Sequence, residues 1–162
     1  MSYESVKGYG PLSFTMSPDE VRTAARKAGW RLIETSQESW TATTPDGKAT
    51  LSFRTADQML PGASIIAVRE FERRPHKRIL SHIAWYRAGI TEKEARGRYG
   101  ELAEKYGEPG TSKDSEDSDY SNQTRWDWDN RDTQTELMIG KNRKSGQWHL
   151  WESIRDKLFE AR

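Results

Sequence analysis

Two segments of the chain carry the same complete signal for the start of a helix. Ser17 is followed three residues later by Glu20, and Thr91 is followed three residues later by Glu94. A serine or threonine with glutamate at this spacing forms a capping box, in which each residue satisfies a backbone N–H group of the other. One helix is therefore predicted to begin after Ser17 and another after Thr91.

Strand-like segments follow each predicted helix. Gly29 ends the first helix and Gly107 ends the second, because glycine is the preferred residue just beyond a helix. Alternation of polar and apolar residues predicts strands over residues 30–35, 38–44, 49–54, 64–71, 125–129, 135–140 and 147–153.

Three further regions are predicted not to form strands. Ile79, Ile83 and Tyr86 lie on one face at helical spacing, so an additional helix is predicted there. Residues 111–124 are polar and are predicted to form a mobile acidic loop. Residues 154–161 are predicted to be either a closing helix or a frayed tail.

The same order of elements in both halves indicates an internal duplication. The predicted fold is α+β, with two tandem modules over residues 1–74 and 75–162. Each module is expected to pack a helix or a helix pair on an antiparallel sheet of three to four strands.

The two segments around the predicted helix starts and ends resemble a pattern of a known family. Ala88-Gly89-Ile90-Thr91 together with Tyr106-Gly107-Glu108-Pro109 is similar to a pattern in the SmpA/OmlA modules and in the repeat of the β-lactamase inhibitor protein. The first copy, Phe14-Thr15-Met16-Ser17, follows the pattern less closely and lacks the proline after Gly29. The resemblance implies helices on a four-stranded sheet, repeated twice, and protein binding on the exposed sheet face. Members of the family are typically exported and the inhibitor carries disulfides, whereas this chain has no cysteine.

The composition excludes several kinds of chemistry. Without cysteine the chain has no disulfide, no thiol nucleophile and no cysteine-based metal site. His76, His82 and His149 lack the i, i+4 spacing that places two metal ligands on one helix face. No nucleophile has a recognisable base, so no catalytic residue, metal or cofactor is predicted. No apolar run reaches the roughly 20 residues of a membrane span, and we expect a cytoplasmic, unexported protein.

Strand alternation predicts a mixed aromatic and charged surface on the second sheet. If Trp126, Trp128, Leu137, Ile139 and Leu150 face the core, the residues between them face outward. The predicted partner-binding residues are Arg125, Asp127, Asp129, Glu136, Met138, His149 and Trp151. Such a mixture suits a protein interface, with the tryptophan and the methionine as anchors. The alternative is that the C-terminal segment folds back over this face.

These features favour a non-catalytic intracellular protein-binding module, as a monomer or a homodimer. The expected role is an inhibitor that occludes a partner protein, in bacterial or phage conflict such as anti-defence or toxin immunity. In one variant the acidic residues of the predicted loop act as a phosphate mimic. These residues are Asp114, Glu116, Asp117 and Asp119.

Nucleic-acid binding is the alternative function. It would use a basic segment that contains Arg69, Arg73, Arg74, Lys77 and Arg78. Basic residues on the first helix, Arg22, Arg26 and Lys27, would assist. The formal net charge of +1 argues against this alternative.

Overall fold

A computed structural model describes residues 11–14, 16–55, 78–130 and 133–157. The elements are α1 (Pro18–Lys27), β1 (Arg31–Ile33), β2 (Ser39–Thr43), β3 (Lys48–Thr55), β4 (Arg78–Ile90), α2 (Glu92–Tyr106), β5 (Thr111–Ser115), β6 (Tyr120–Asp129), β7 (Thr133–Asn142) and β8 (Trp148–Asp156). All eight strands form one sheet in the order β1-β2-β3-β4-β8-β7-β6-β5, and every neighbouring pair is antiparallel.

The fold is α+β with an antiparallel sheet, but the prediction of two tandem helix-on-sheet modules is wrong. Within the described residues, each half contributes a helix followed by four strands, and the last of these strands in each half, β4 and β8, pair in the middle of the sheet. Ile83 lies opposite Ile154, and Trp85 lies opposite Glu152. Pairing satisfies the backbone groups that two separate sheets would leave exposed at their edges. The proposed boundary between residues 74 and 75 lies outside the described residues.

Both predicted helix starts are confirmed. The Ser17 hydroxyl accepts a hydrogen bond from the Glu20 backbone N–H at 3.2 Å, and the Thr91 hydroxyl accepts one from Glu94 at 3.1 Å. In each case the glutamate side chain accepts from the backbone N–H of the capping residue, which completes the capping box. These signals are local, so the chain can form them without help from the rest of the fold.

The additional helix predicted around Ile79, Ile83 and Tyr86 is wrong, because these residues belong to strand β4. Ile83 is buried and Tyr86 lies half-buried on the other face, as alternation in a strand requires. Pairing with β3 and β8 supplies the backbone hydrogen bonds of β4 on both sides. The short apolar run is compatible with either period, and the tertiary pairing selects the strand.

Two other predictions are corrected by the strand bounds. Residues 111–124 form β5 and the start of β6, which are joined in a hairpin rather than a loop. Strand β8 continues to Asp156, so no helix begins at residue 154. The strand predicted over residues 64–71 and the segment 158–162 lie outside the described residues.

The hydrophobic core lies on one face of the sheet, beneath α1 and α2. Helix α1 packs on β1 and β4, and α2 packs on β7 and β8. The two tryptophans predicted to be core, Trp126 and Trp128, are buried as expected. Within the described part of the chain, no helix is long and apolar enough to cross a membrane. The opposite face of the sheet, called the open face below, carries the outward-pointing residue of each alternating pair.

Candidate functional site

The strand register brings the predicted partner-binding residues onto the open face. Met138 lies opposite Trp151 on one side and opposite Arg125 on the other, and Asp127 lies opposite Glu136. His149 and Asp129 share the same face on β8 and β6. The seven residues therefore form one continuous surface over β6, β7 and β8. Strand β8 continues to Asp156, so residues 154–156 do not turn back over this face. The rest of the C-terminal segment that could cover the face, residues 158–161, lies outside the described residues.

The carboxylates of this surface each have a cationic neighbour. Arg125 contacts Glu136 at 3.0 Å and Asp127 at 3.3 Å, and Asp129 pairs with Lys157. Burial raises the pKa of Glu136 above its usual range, and the Arg125 guanidinium opposes this effect. The hydrogen bond from Arg125 to Asp127 raises the pKa of Arg125. The charges near β6 and β7 are therefore largely balanced within the protein.

An aromatic cluster occupies the centre of the open face. The cluster comprises Tyr86, Tyr120, His149 and Trp151, all of them half-buried. The ring of Trp151 lies 5.6 Å from that of Tyr86 and 4.9 Å from that of Tyr120, the latter in an edge-to-face arrangement. The hydroxyl oxygens of Tyr86 and Tyr120 lie 2.7 Å and 3.2 Å from His149 Nδ1. This network fixes the ring orientations of the cluster.

The sequence pattern does not identify either tyrosine as part of this surface, because it predicts a helix around Tyr86 and a loop around Tyr120. An irregularity in the β6–β7 register follows Ser121, and Asn122 has a φ of 53°. Across from it, a Cβ at Gly140 would lie 3.0 Å from Gln123 Cγ and 3.5 Å from Tyr120 Cβ, so the glycine leaves room for the Gln123 side chain beside Tyr120. A glycine inside a strand often marks a bulge or a close approach of neighbouring groups. Gly140 is therefore the sequence feature that indicates close packing near Tyr120.

A groove of about 350 Å³ crosses the open face beside the aromatic cluster. Its floor is a row of cross-strand neighbours with mostly small side chains: Thr41, Thr50, Ala84, Ser153 and Glu136. Tyr86 and Trp151 line one side, and Lys48 lies beyond Tyr86 on β3. The groove therefore combines small floor residues, an aromatic wall and a lysine.

The acidic residues of segment 111–124 are held in the β5–β6 hairpin. The Asp117 carboxylate accepts hydrogen bonds from the backbone N–H groups of Asp119 and Tyr120, at 2.8 Å and 2.7 Å. These bonds lower the pKa of Asp117, because they favour its charged form. Asp114 accepts a hydrogen bond from Thr124, and Glu116 lies 3.4 Å from Arg143. Two of the four acids therefore stabilise the hairpin through short hydrogen bonds, and the phosphate-mimic role stays a prediction.

The basic residues of the alternative function are only partly described. Arg69, Arg73, Arg74 and Lys77 lie outside the described residues. Arg78 donates hydrogen bonds to the carbonyl oxygen and the side chain of Gln37. Arg22 donates to both carboxylate oxygens of Glu34, at 2.9 Å and 2.6 Å, so this cation is engaged within the protein. Arg26 and Lys27 are exposed in the last turn of α1.

Two histidines on the open face are expected to make stability depend on pH. Burial lowers the pKa of His82 below 6.5, with further lowering by Arg54 and Arg155, and burial alone lowers the pKa of His149. Below about pH 6.5 the unfolded chain binds protons that the folded chain does not, so the free energy of unfolding should fall as pH falls. Urea titrations between pH 5 and 8 should show this slope.

Substitution of each histidine tests whether folding lowers its pKa. His82→Gln and His149→Gln should each reduce the slope of stability against pH, since each removes one group whose pKa is lowered by folding. An unchanged slope in both variants would contradict the burial of these rings.

The described part of the chain contains no group of three or more histidine or acidic side chains placed to hold a metal ion. The open face therefore offers aromatic, hydroxyl and charged side chains as its recognition chemistry. No protein-family model, curated protein or solved structure matches the chain, so the resemblance to the SmpA/OmlA and inhibitor-type repeats stays a prediction.

Proposed function

We propose that the chain is a non-catalytic protein-binding protein that holds its partner on the open face of the sheet. The observation that carries this proposal is the half-buried aromatic cluster beside a groove, on the face opposite α1 and α2. Tyrosine and tryptophan are enriched among the residues that dominate binding energy in protein interfaces. They supply large contact areas with few rotatable bonds.

The dimensions of the open face suit a protein partner. Eight strands spaced about 4.8 Å apart span about 34 Å, and six residues along a strand span about 20 Å. The product, about 700 Å², approaches the roughly 800 Å² that each partner buries in a standard interface. A partner covering this face would remove Trp151 and Met138 from water at its centre.

The protein would act as an inhibitor if the open face covers the functional site of its partner. This is the inhibitor form of the proposal. Rigid presentation supports this form, because the anchors lie on paired strands that lose little conformational freedom on binding. A cytoplasmic location, a role in bacterial or phage conflict, and a monomeric or homodimeric state stay predictions.

The proposal predicts that Trp151→Ala combined with Met138→Ala will weaken partner binding about 30-fold or more, since truncation of two central anchors typically costs at least 2 kcal/mol. The full chain is used to capture its partner from a lysate of the source cells. The affinity of the captured protein for the wild type and the variant is then measured by calorimetry.

A matched control comes from the helix side of the molecule. Lys93 and Glu104 are exposed on α2, so Lys93→Ala combined with Glu104→Ala should leave the affinity unchanged. Retention of full affinity by the open-face variant, with loss in the control, would place the interface on the helices and refute the proposal.

A further inference from the structure

Among the described residues, the open face carries more exposed or half-buried cations than carboxylates. These cations include Arg31, Lys48, Lys113, Arg125 and Lys157, and the carboxylates are Asp127, Asp129 and Glu136. The three carboxylates are paired with Arg125 or Lys157. By contrast, Arg31, Lys48 and Lys113 are exposed, and their side chains form no ion pair or hydrogen bond with any other described residue. Within the described part of the chain, the uncompensated charge of this face is therefore positive and comes from these three side chains.

The unpaired Lys48 adjoins the aromatic wall of the groove. Lys48 lies directly opposite Tyr86, and Tyr86 lies directly opposite Trp151. At about 4.8 Å between strands, the lysine lies about 10 Å from Trp151 along the row. On the other side the row passes Thr43 and reaches Arg31, a further 10 Å or so away. Along one line across the sheet, two cations separated by Thr43 are thus followed by two aromatic rings.

We infer that the partner presents an acidic segment to this face, with a carboxylate at Lys48 and an apolar side chain against Tyr86 and Trp151. This inference rests on the proposed function and adds the chemistry of the partner to it. The small side chain of Ala84 leaves space on the groove floor for the apolar group. The hydroxyl groups of Thr41 and Thr50 line the same groove and can donate to the carboxylate.

A basic segment fits this face less well. It would lie next to the unpaired Lys48, and like charges placed together cost binding energy. The carboxylates that could attract a basic segment already form ion pairs with Arg125 and Lys157. Charge complementarity therefore selects an acidic partner.

The test uses the indole N–H signal of Trp151 in the ¹⁵N-labelled full chain, assigned by its loss in Trp151→Phe. The first probe is the peptide acetyl-Glu-Glu-Leu-Leu-Glu-Glu-amide, and the second replaces every glutamate by lysine. The third probe is an eight-nucleotide oligothymidylate, because phosphates would meet the same cations and bases could stack on the same rings.

The acidic peptide should shift the Trp151 signal in a saturable manner, with an affinity at least tenfold above that of the lysine peptide. Lys48→Glu combined with Arg31→Glu should reduce that affinity tenfold or more. Lys93→Glu, on the helix side, should leave it unchanged. Both altered positions of the first variant are exposed, and the remaining signals of the spectrum verify that it folds.

Three results would overturn the inference: no saturable shift with the acidic peptide, an equal response to the lysine peptide, or tighter binding of the oligothymidylate. Failure of the proposed function is recognised separately, by partner affinity that survives the Trp151→Ala and Met138→Ala changes. Loss of partner binding in that variant, together with any of the three results, would leave the interface in place and refute only its acidic chemistry.

Discussion

Replacing Trp128 with alanine should lower the free energy of unfolding by about 3–5 kcal/mol, the typical cost of truncating a buried tryptophan. Only 1% of Trp128 is exposed, and its ring lies 6.0 Å from that of Tyr99 and 6.5 Å from that of Tyr106 on α2. Its indole N–H also donates to the Gly107 carbonyl oxygen at 2.9 Å, which ties the end of α2 to the sheet. Urea denaturation of the wild type and the variant measures the difference.

Two further variants separate the contributions at this position. Trp128→Phe keeps most of the apolar contact and removes the hydrogen bond to Gly107, so it should cost less than the alanine variant. Trp151→Ala removes a tryptophan of the same size from the open face, where it is half-buried. Equal destabilisation by Trp128→Ala and Trp151→Ala would contradict the assignment of one tryptophan to the core and the other to the binding face.

The second large effect is expected at the ion pair between Arg98 on α2 and Glu152 on β8. Arg98 donates to both carboxylate oxygens, at 2.9 Å and 2.6 Å, and only 6% of Glu152 is exposed. Arg98→Met would leave a buried carboxylate without its main partner, and such a loss typically costs about 3–5 kcal/mol. The same urea titration should detect it.

A double variant tests the physical reason. Combining Arg98→Met with Glu152→Leu removes both charges and should recover much of the stability, since apolar residues often replace a buried ion pair at little cost. The exposed pair of Arg96 and Glu92 provides the comparison, because exposed pairs contribute at most about 1 kcal/mol. A double variant as unstable as Arg98→Met alone would show that packing, rather than charge, dominates at this position.

Much of the candidate site was predictable because it depends on strand alternation. Once β6, β7 and β8 are identified, a period of two residues places Trp128 inside and Asp127 outside, and it does the same for Leu150 and Trp151. What alternation does not reveal is which strands are neighbours. The approach of Tyr86 to Trp151 follows from the pairing of β4 with β8, which are separated by more than fifty residues in the chain.

Polar strands were the hardest to predict. All five residues of β5 are exposed, and none has the apolar alternation that identifies a half-buried strand. The segment is extended because its backbone pairs with β6, where Lys113 lies opposite Arg125. The Asp117 carboxylate then closes the hairpin by accepting hydrogen bonds from the backbone N–H groups of Asp119 and Tyr120. In this region the turn and the pairing partner decide the structure, while hydrophobicity contributes little.

By itself, the sequence determined the features that depend on near neighbours: the two capping boxes, the ends of α1 and α2, and the inward or outward direction of side chains on β6, β7 and β8. Only the tertiary structure decided that β4 is a strand, that both halves share one sheet, and that Tyr86, Tyr120, His149 and Trp151 form one cluster. The physical reason is that a capping box is satisfied within four residues. A strand, in contrast, obtains its hydrogen bonds from partners that are distant in the chain.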